Sequence, residues 1–260
     1  MDLQLTGKTA VVTGSTAGIG LSIAEELARE GVKVFVAGRT QPKIDEALKV
    51  VRKAGEAEGV VADAGTAEGC AALVRRVPQV DILVNNLGIY EAKPFAEIPD
   101  ADWQKLFDVN VMSGVRLSRH YFPQMLSAGW GRVIFIASES GVMTPPEMVH
   151  YGVTKSSQLA LSRGMAELTK GTQVTVNTVL PGPTQSEGIA EFLRKVSPGA
   201  KDDADAEAEF FRAHRSSSLL QRLIDPQEIA HMVAYLASPL SAATNGATLR
   251  VEGGLLRSIV

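Results

Sequence analysis

Cysteine is almost missing from this chain. Cys70 is the only one in 260 residues, so no intramolecular disulfide can form, and a lone thiol without neighbouring Cys or His ligands makes a poor metal site. An excess of one charge is lacking as well: 26 basic and 29 acidic residues, spread along the sequence, leave a formal net charge of -3 and no basic stripe to hold a phosphate backbone, which excludes nucleic acid as the expected partner. No run approaches the ~18 apolar residues of a membrane span. Met1-Asp2-Leu3-Gln4-Leu5-Thr6-Gly7-Lys8 carries neither the basic start nor the apolar stretch of a secretory signal. These absences predict a cytoplasmic protein with no membrane partner. Also missing are a linker rich in Pro, Gly or Ser, a block of like charge, and an internal repeat with a period of about 20–50 residues. With 45% hydrophobic residues and no divider, residues 1–260 read as a single domain around one core.

What is present is alternation. Short β-branched runs at 9–13, 33–37, 59–62, 81–85, 132–137, 174–180 and 248–251 read as strands, and helical periods occupy 19–29, 42–53, 67–76, 102–126, 151–168 and 226–236. Apolar runs such as Val133-Ile134-Phe135-Ile136 suit strands covered on both faces. The expected architecture is therefore α/β, a Rossmann-type doubly wound parallel sheet of about seven strands flanked by helices. The stretch from Ser186 to Leu223 breaks this rhythm. Its charged part, Lys201-Asp202-Asp203-Ala204-Asp205-Ala206-Glu207, follows Ser197-Pro198-Gly199 and offers only short helices, so residues 186–216 are expected to form a mobile insertion acting as a substrate lid.

At the end of the first strand stands Thr13-Gly14-Ser15-Thr16-Ala17-Gly18-Ile19-Gly20. Glycines at 14, 18 and 20 permit a tight turn, close backbone approach to phosphates, and a helix whose first N–H groups face an anion. This is the requirement of a dinucleotide pyrophosphate, with Gly14, Ser15, Thr16, Gly18, Ile19 and Gly20 as the expected contacts. After the second strand comes Gly38-Arg39-Thr40. A carboxylate there would bind the ribose hydroxyls of NAD and repel the 2′-phosphate of NADP, whereas a guanidinium would hold that phosphate. NADP(H) is thus favoured, with NAD(H) possible.

Moving a hydride between an alcohol carbon and a nicotinamide needs a group that takes or returns the hydroxyl proton. A phenol can do both, but lowering its ordinary pKa of ~10 by ~3 units demands about 4 kcal/mol of preferential stabilisation of the phenolate. Lys155 follows Tyr151 by one helical turn, so the two share a face and the ammonium can supply part of that stabilisation. In a chain with many basic residues such a pair arises easily by chance, so position has to decide. Ser138 lies at the end of the fifth strand, where ligands bind in such sheets, and its hydroxyl can hydrogen-bond the reacting oxygen. His150, beside Tyr151, points about 100° away on a helix and is assigned to the surface or the pocket wall.

With these motifs in place, the chain resembles the short-chain dehydrogenase/reductase family nearly end to end, including its 3-oxoacyl-thioester reductases. The glycine turn is similar to the family's Thr-Gly-x3-Gly-x-Gly, Asn85-Asn86-Leu87-Gly88 to its Asn-Asn-Ala-Gly, and Val251-Glu252-Gly253-Gly254 to its Val-Asp-Gly-Gly. The resemblance implies that Asn110, Ser138, Tyr151 and Lys155 are catalytic, with Asn110 organising a proton-relay water to the lysine. It further implies that Asp63 contacts the adenine, that Asn86 and Gly88 flank the cofactor, and that Pro181, Gly182 and Ser186 form the nicotinamide-side loop. It implies a homotetramer packed through the long helices after the fourth and fifth strands.

The substrate class is less constrained. The reductases that dock acidic acyl carrier protein often carry Lys or Arg before the fifth and sixth strands. Here those stretches are Ser127-Ala128-Gly129-Trp130-Gly131-Arg132 and Thr172-Gln173, with Lys170 nearby. A small-molecule ketone or secondary alcohol is the expected substrate, with Tyr90, Val142, Met143, Pro145 and residues 186–216 as its wall. Two alternatives stay open: reduction of a 3-oxoacyl thioester on acyl carrier protein, and a non-catalytic dinucleotide-binding sensor or assembly module.

Overall fold

Within the strands the apolar residues alternate between two helical layers, which is why the runs look continuously hydrophobic. Val12, Val84, Ile134 and Ile136 belong to one buried cluster, whereas Val11, Leu83, Val133 and Phe135 belong to a second on the opposite face. The computed structural model describes residues 1–259. Its seven strands are β1 (Thr9–Val12), β2 (Lys33–Gly38), β3 (Ala57–Val61), β4 (Ile82–Asn85), β5 (Trp130–Ile136), β6 (Gln173–Pro181) and β7 (Thr248–Val251). All are parallel, in the order β3-β2-β1-β4-β5-β6-β7. The strand order reverses between β1 and β4, and a crevice at such a switch point is where open α/β sheets bind ligands.

The helices are α1 (Gly18–Arg29), α2 (Gln41–Ala54), α3 (Ala67–Arg76), α4 (Asp100–Phe107), α5 (Ser113–Ala128), α6 (Val149–Glu167), α7 (Ile189–Val196), α8 (Asp203–His214) and α9 (Pro226–Ala237). Ile23, Ala24 and Leu27 of α1 pack with Ile229, Val233 and Leu236 of α9 on one face of the sheet. Cys70 and Leu73 of α3 and Leu117 and Tyr121 of α5 cover the other. None of the helices among the described residues is long and apolar enough to cross a membrane.

Two expectations are corrected. The single helix expected over 102–126 is three pieces: α4, a π-helical segment (Asp108–Met112) and α5. The stretch expected to be a mobile excursion is folded, with α7 and α8 enclosing a small core of Leu193, Ala206, Phe210, Phe211 and Leu223. Its charge pattern suits a helix. The Asp202 side chain accepts from Asp205 N at 2.9 Å and caps α8, whose first turn holds Asp203 and Asp205 and whose last turn holds Arg212 and His214, a distribution that suits the helix dipole at both ends. The base of the insertion is tied on both sides, by Gln185 N to Ile224 O (3.0 Å) and Ile224 N to Pro183 O (2.8 Å).

Candidate active site

The three glycines of the turn after β1 have distinct local reasons. Gly14 and Gly18 adopt φ of 62° and 52°, left-handed values that favour glycine. At Gly20 the backbone is ordinary, but a Cβ would overlap Gly14 O and Asn86 Nδ2. Ala17 at the α1 N-cap offers no side-chain acceptor, so the first N–H groups of a 12-residue helix face outward from the turn without a capping partner. Asn86 secures the turn from β4, donating to Thr13 O (2.9 Å) and Gly14 O (3.3 Å). This set of residues fits a dinucleotide pyrophosphate. Ser15 serves another purpose: fully buried, it donates to Val12 O (2.7 Å) and accepts from Ala37 N (3.1 Å), bracing β1 against β2.

Beyond β5, the backbone runs through Ser138 into a single 3-10 turn (Glu139–Gly141) laid directly on α6. The approach requires glycine, because a Cβ on Gly141 would lie 2.9 Å from the Lys155 carbonyl carbon. This contact brings Ser138 alongside Tyr151 and Lys155, one turn apart on α6. Lys155 Nζ donates to Ile136 O (2.9 Å) and sits 5.6 Å from the centre of the Tyr151 ring. Asn110 comes from the π segment. Its Oδ1 accepts from Ile89 N (2.8 Å), its Nδ2 donates to Ile89 O (2.9 Å) and Thr154 Oγ1 (3.0 Å), and its main-chain carbonyl accepts from Gln158 Nε2 (2.5 Å). A Cβ on Gly88 would lie 3.3 Å from Lys155 Nζ and 3.6 Å from Asn110 Oδ1, so the bare Gly88 backbone separates those two side chains.

A cavity of about 420 Å³ gathers Gly14, Gly18, Ile19, Gly20, Asn86, Gly88, Ser138, Tyr151, Lys155, Pro181, Gly182 and Ser186 on one lining. Ser15, Thr16, Arg39, Asp63 and Asn110 lie outside it. Arg39 is exposed just beyond Gly38, where a Cβ would overlap Thr16 Cγ2. Asp63 is exposed in the turn after β3, its Oδ1 accepting from Gly65 N (3.1 Å), while Thr66 rather than Asp63 caps α3.

Charge in the cavity follows from burial. Burial holds Tyr151 above its ordinary 10.0, and the carboxylate of Glu139 adds to the rise; the Ser138 hydroxyl and the Arg215 guanidinium act the other way. Burial also brings Lys155 down from 10.5 to about 7, with Glu139 opposing that fall. Among the protein's own groups, Tyr151 therefore keeps its proton at neutral pH.

Several residues of the site differ from the sequence reading. Val142 and Met143 are exposed, and they and Pro145 do not line the cavity; Tyr90 does, joined by Met148, Ile189, Phe192 and Phe210. The turn at Gly141 carries the following residues away from the sheet, and the insertion supplies the wall in their place. His150 is neither surface nor pocket wall: it is fully buried, edge-on to Trp103 at 5.9 Å, with neither ring nitrogen bonded among the described residues, and burial lowers its pKa. Sequence reasoning missed Glu139 and Arg215, which meet in the cavity at 3.5 Å. The one available signal was a carboxylate directly after Ser138.

Comparison with known proteins agrees with this geometry. The short chain dehydrogenase family profile matches residues 8–196. The uncharacterized oxidoreductase YvaG of Bacillus subtilis strain 168 is 51% identical over 263 residues, covering 100% of both chains. L-sorbose reductase from Gluconobacter frateurii, solved with NADPH and L-sorbose, superposes with a TM-score of 0.92 at 29% identity over 100% of both chains. A 7α-hydroxysteroid dehydrogenase complexed with NADH and 7-oxo glycochenodeoxycholic acid superposes with a TM-score of 0.85 at 28% identity, covering 100% of this chain and 98% of that one.

Proposed function

Because the chain belongs to the short-chain dehydrogenase/reductase family, oxidoreductases that act on CH–OH and C=O groups with NAD(P), we propose that its cavity moves a hydride between NADP(H) and a ketone or secondary alcohol, with Tyr151 as the acid/base. The observation that carries this reading is the convergence of Ser138, Tyr151 and Lys155 on the cavity that also holds the glycine turn. Gly14, Gly18, Ile19 and Gly20 at the α1 N-terminus would hold the pyrophosphate, Asn86 and Gly88 would flank the nicotinamide ribose, and Pro181, Gly182 and Ser186 would border the ring. A bound nicotinamide supplies or accepts the hydride and, when oxidised, places a positive charge beside the phenol. Tyr151 donates its proton to the carbonyl oxygen in reduction and takes it back in oxidation. Ser138 orients that oxygen, Lys155 positions the phenol and the ribose, and Asn110 holds the segment through which Lys155 regains a proton. The buried phenol holds its proton at neutral pH, the form that donates in carbonyl reduction.

The preference for NADP(H) rests on Arg39, exposed next to Gly38, where an added Cβ would overlap Thr16 Cγ2. Residues 186–216 serve as the lid: Tyr90 meets Tyr151 edge-on at 6.1 Å and Phe192 at 5.8 Å, linking α7 to the reacting phenol. We retain the homotetramer and the cytoplasmic setting on the family resemblance, and a buried, unpaired Cys70 accords with a reducing compartment. The decisive experiment is Tyr151→Phe. Reduction of a ketone substrate should fall by about 1000-fold while the NADPH dissociation constant stays within about threefold; turnover that survives the substitution would overturn the proposal.

A further inference from the structure

The mechanism above leaves one charged pair without a role. Glu139 and Arg215 are 4% and 5% exposed, and both line the cavity beside Ser138 and Tyr151. Arg215, at the C-terminal end of α8, comes from the lid; Glu139 comes from the catalytic turn. Glu139 accepts from Ser138 Oγ at 2.5 Å and from Ser140 Oγ at 3.1 Å. Arg215 Nη1 donates to Glu147 Oε1 (3.2 Å) and His214 O (2.8 Å), but its buried Nε has no hydrogen-bond partner among the described residues and stands 3.5 Å from Glu139 Oε1. A guanidinium has only donors and a carboxylate only acceptors. Side by side and incompletely paired, they match a group that both donates and accepts, which is a hydroxyl.

Resting on the proposed oxidoreductase site, we propose that Glu139 and Arg215 select a neutral substrate bearing a hydroxyl on the carbon next to the reacting one. The substrate class is then an α-hydroxy ketone, reduced to a vicinal diol, as in ketoses and polyols. The carbonyl carbon receives a hydride, with its two electrons, from NADPH; its oxygen receives the Tyr151 proton; NADP+ and the diol leave. Adjacency fixes the hydroxyl's place, because Glu139 touches the same Ser138 that orients the reacting oxygen. It also gives the hydroxyl a part in turnover. Ser138 has one proton, and Glu139 accepts it; a substrate hydroxyl donating to that carboxylate releases the Ser138 O–H toward the carbonyl. Anionic substrates are disfavoured, since the one guanidinium already faces two carboxylates, Glu139 and Glu147. Tyr90, Phe192 and Met148 provide an apolar wall for the C–H face of such a molecule.

The test uses three carbonyl probes of nearly equal size with NADPH: hydroxyacetone, butanone, in which a methyl replaces the hydroxyl, and pyruvate, in which a carboxylate replaces the whole hydroxymethyl group. Wild type should reduce hydroxyacetone with a kcat/KM about 100-fold above that of butanone, the difference residing in kcat as well as KM, and pyruvate should be the poorest. Arg215→Met should bring the hydroxyacetone-to-butanone ratio to within about threefold of one, and Arg215→Lys should restore part of it. The wild-type ratio needs no variant, so misfolding cannot hide the answer. Butanone or pyruvate reduced as well as hydroxyacetone, in a Tyr151-dependent manner, overturns this inference and leaves the oxidoreductase reading intact. Reduction that survives Tyr151→Phe, or no reduction of any probe or of a ketohexose panel, overturns both.

Discussion

Replacing Lys155 by Met removes one titrating group whose behaviour is set by burial, and the effect on stability can be worked out. In the folded protein Lys155 titrates near 7, against 10.5 for the free side chain. The gap of about 3.5 units corresponds to roughly 5 kcal/mol favouring the neutral amine on folding. Between those two values the unfolded chain carries the proton and the folded chain does not, so stability rises with pH across the window by up to ~1.4 kcal/mol per unit. Below about 7 the penalty is complete and flat; above 10.5 it is gone. Tyr151 acts in the opposite sense only above 10, because its folded value is raised and the unfolded phenol deprotonates first. A range of about pH 7.5 to 9.5 therefore isolates the lysine. Urea denaturation without added nucleotide, at one fixed protein concentration, should show the stability difference between wild type and Lys155→Met changing by about 2.5 kcal/mol over that range, wild type gaining as the pH rises. Groups common to both proteins cancel in the difference. Parallel curves would show that burial does not displace the Lys155 proton.

The cofactor turn and the adenosine end make separate predictions. Arg39→Ala should weaken NADPH binding by about 10–100-fold, as expected for loss of a charge-assisted hydrogen bond, while NADH binding changes little; equal losses for both nucleotides, measured by fluorescence titration, would remove Arg39 from the 2′-phosphate. In Gly20→Ala the new methyl would overlap the backbone of Gly14 and the amide of Asn86, neither of which can swing aside. Dinucleotide binding should be lost and stability lowered by about 1–3 kcal/mol, whereas Gly164→Ala, inside α6 with nothing within 4 Å of the added Cβ, should leave binding unchanged and raise stability by about 0.5–1 kcal/mol.

Much of the fold was legible because its determinants are local. All seven strands were found, since β-branched runs between turn residues have few other uses, and a fully apolar run with both faces covered implies helices above and below. The glycine turn was legible for the same reason: positive φ at Gly14 and Gly18 is a backbone demand that sequence displays directly. Tyr151 and Lys155 could be paired because helical spacing puts them on one face. The failures share a cause too. The α8 segment reads as short helices in a mobile insertion, yet Asp202 as a cap and acids in the first turn are what a helix start needs, and Phe210 and Phe211 anchor it in a small core. His150 sits on a helix with polar residues on its buried side, Thr154, Gln158 and Ser162 among them, so periodicity could not place it. Glu139 and Arg215 lie far apart in the chain, and only the folding of α7 and α8 back over the sheet brings them together.

Asn110 shows where pattern and geometry part company. Its helix keeps a continuous apolar rhythm from Leu106 to Leu117 and Tyr121, so a sequence reading has no reason to break it. The π segment Asp108–Met112 lies within that run, between α4 and α5, and buries Asn110 and Val111. The consequence is local: at this one turn the fully buried side chain is an amide, bonded to both the N–H and the C=O of Ile89. That clamp holds the loop next to Gly88, at which an added Cβ would lie 3.3 Å from Lys155 Nζ. A helical irregularity thus supplies the amide that ties down the loop beside the lysine.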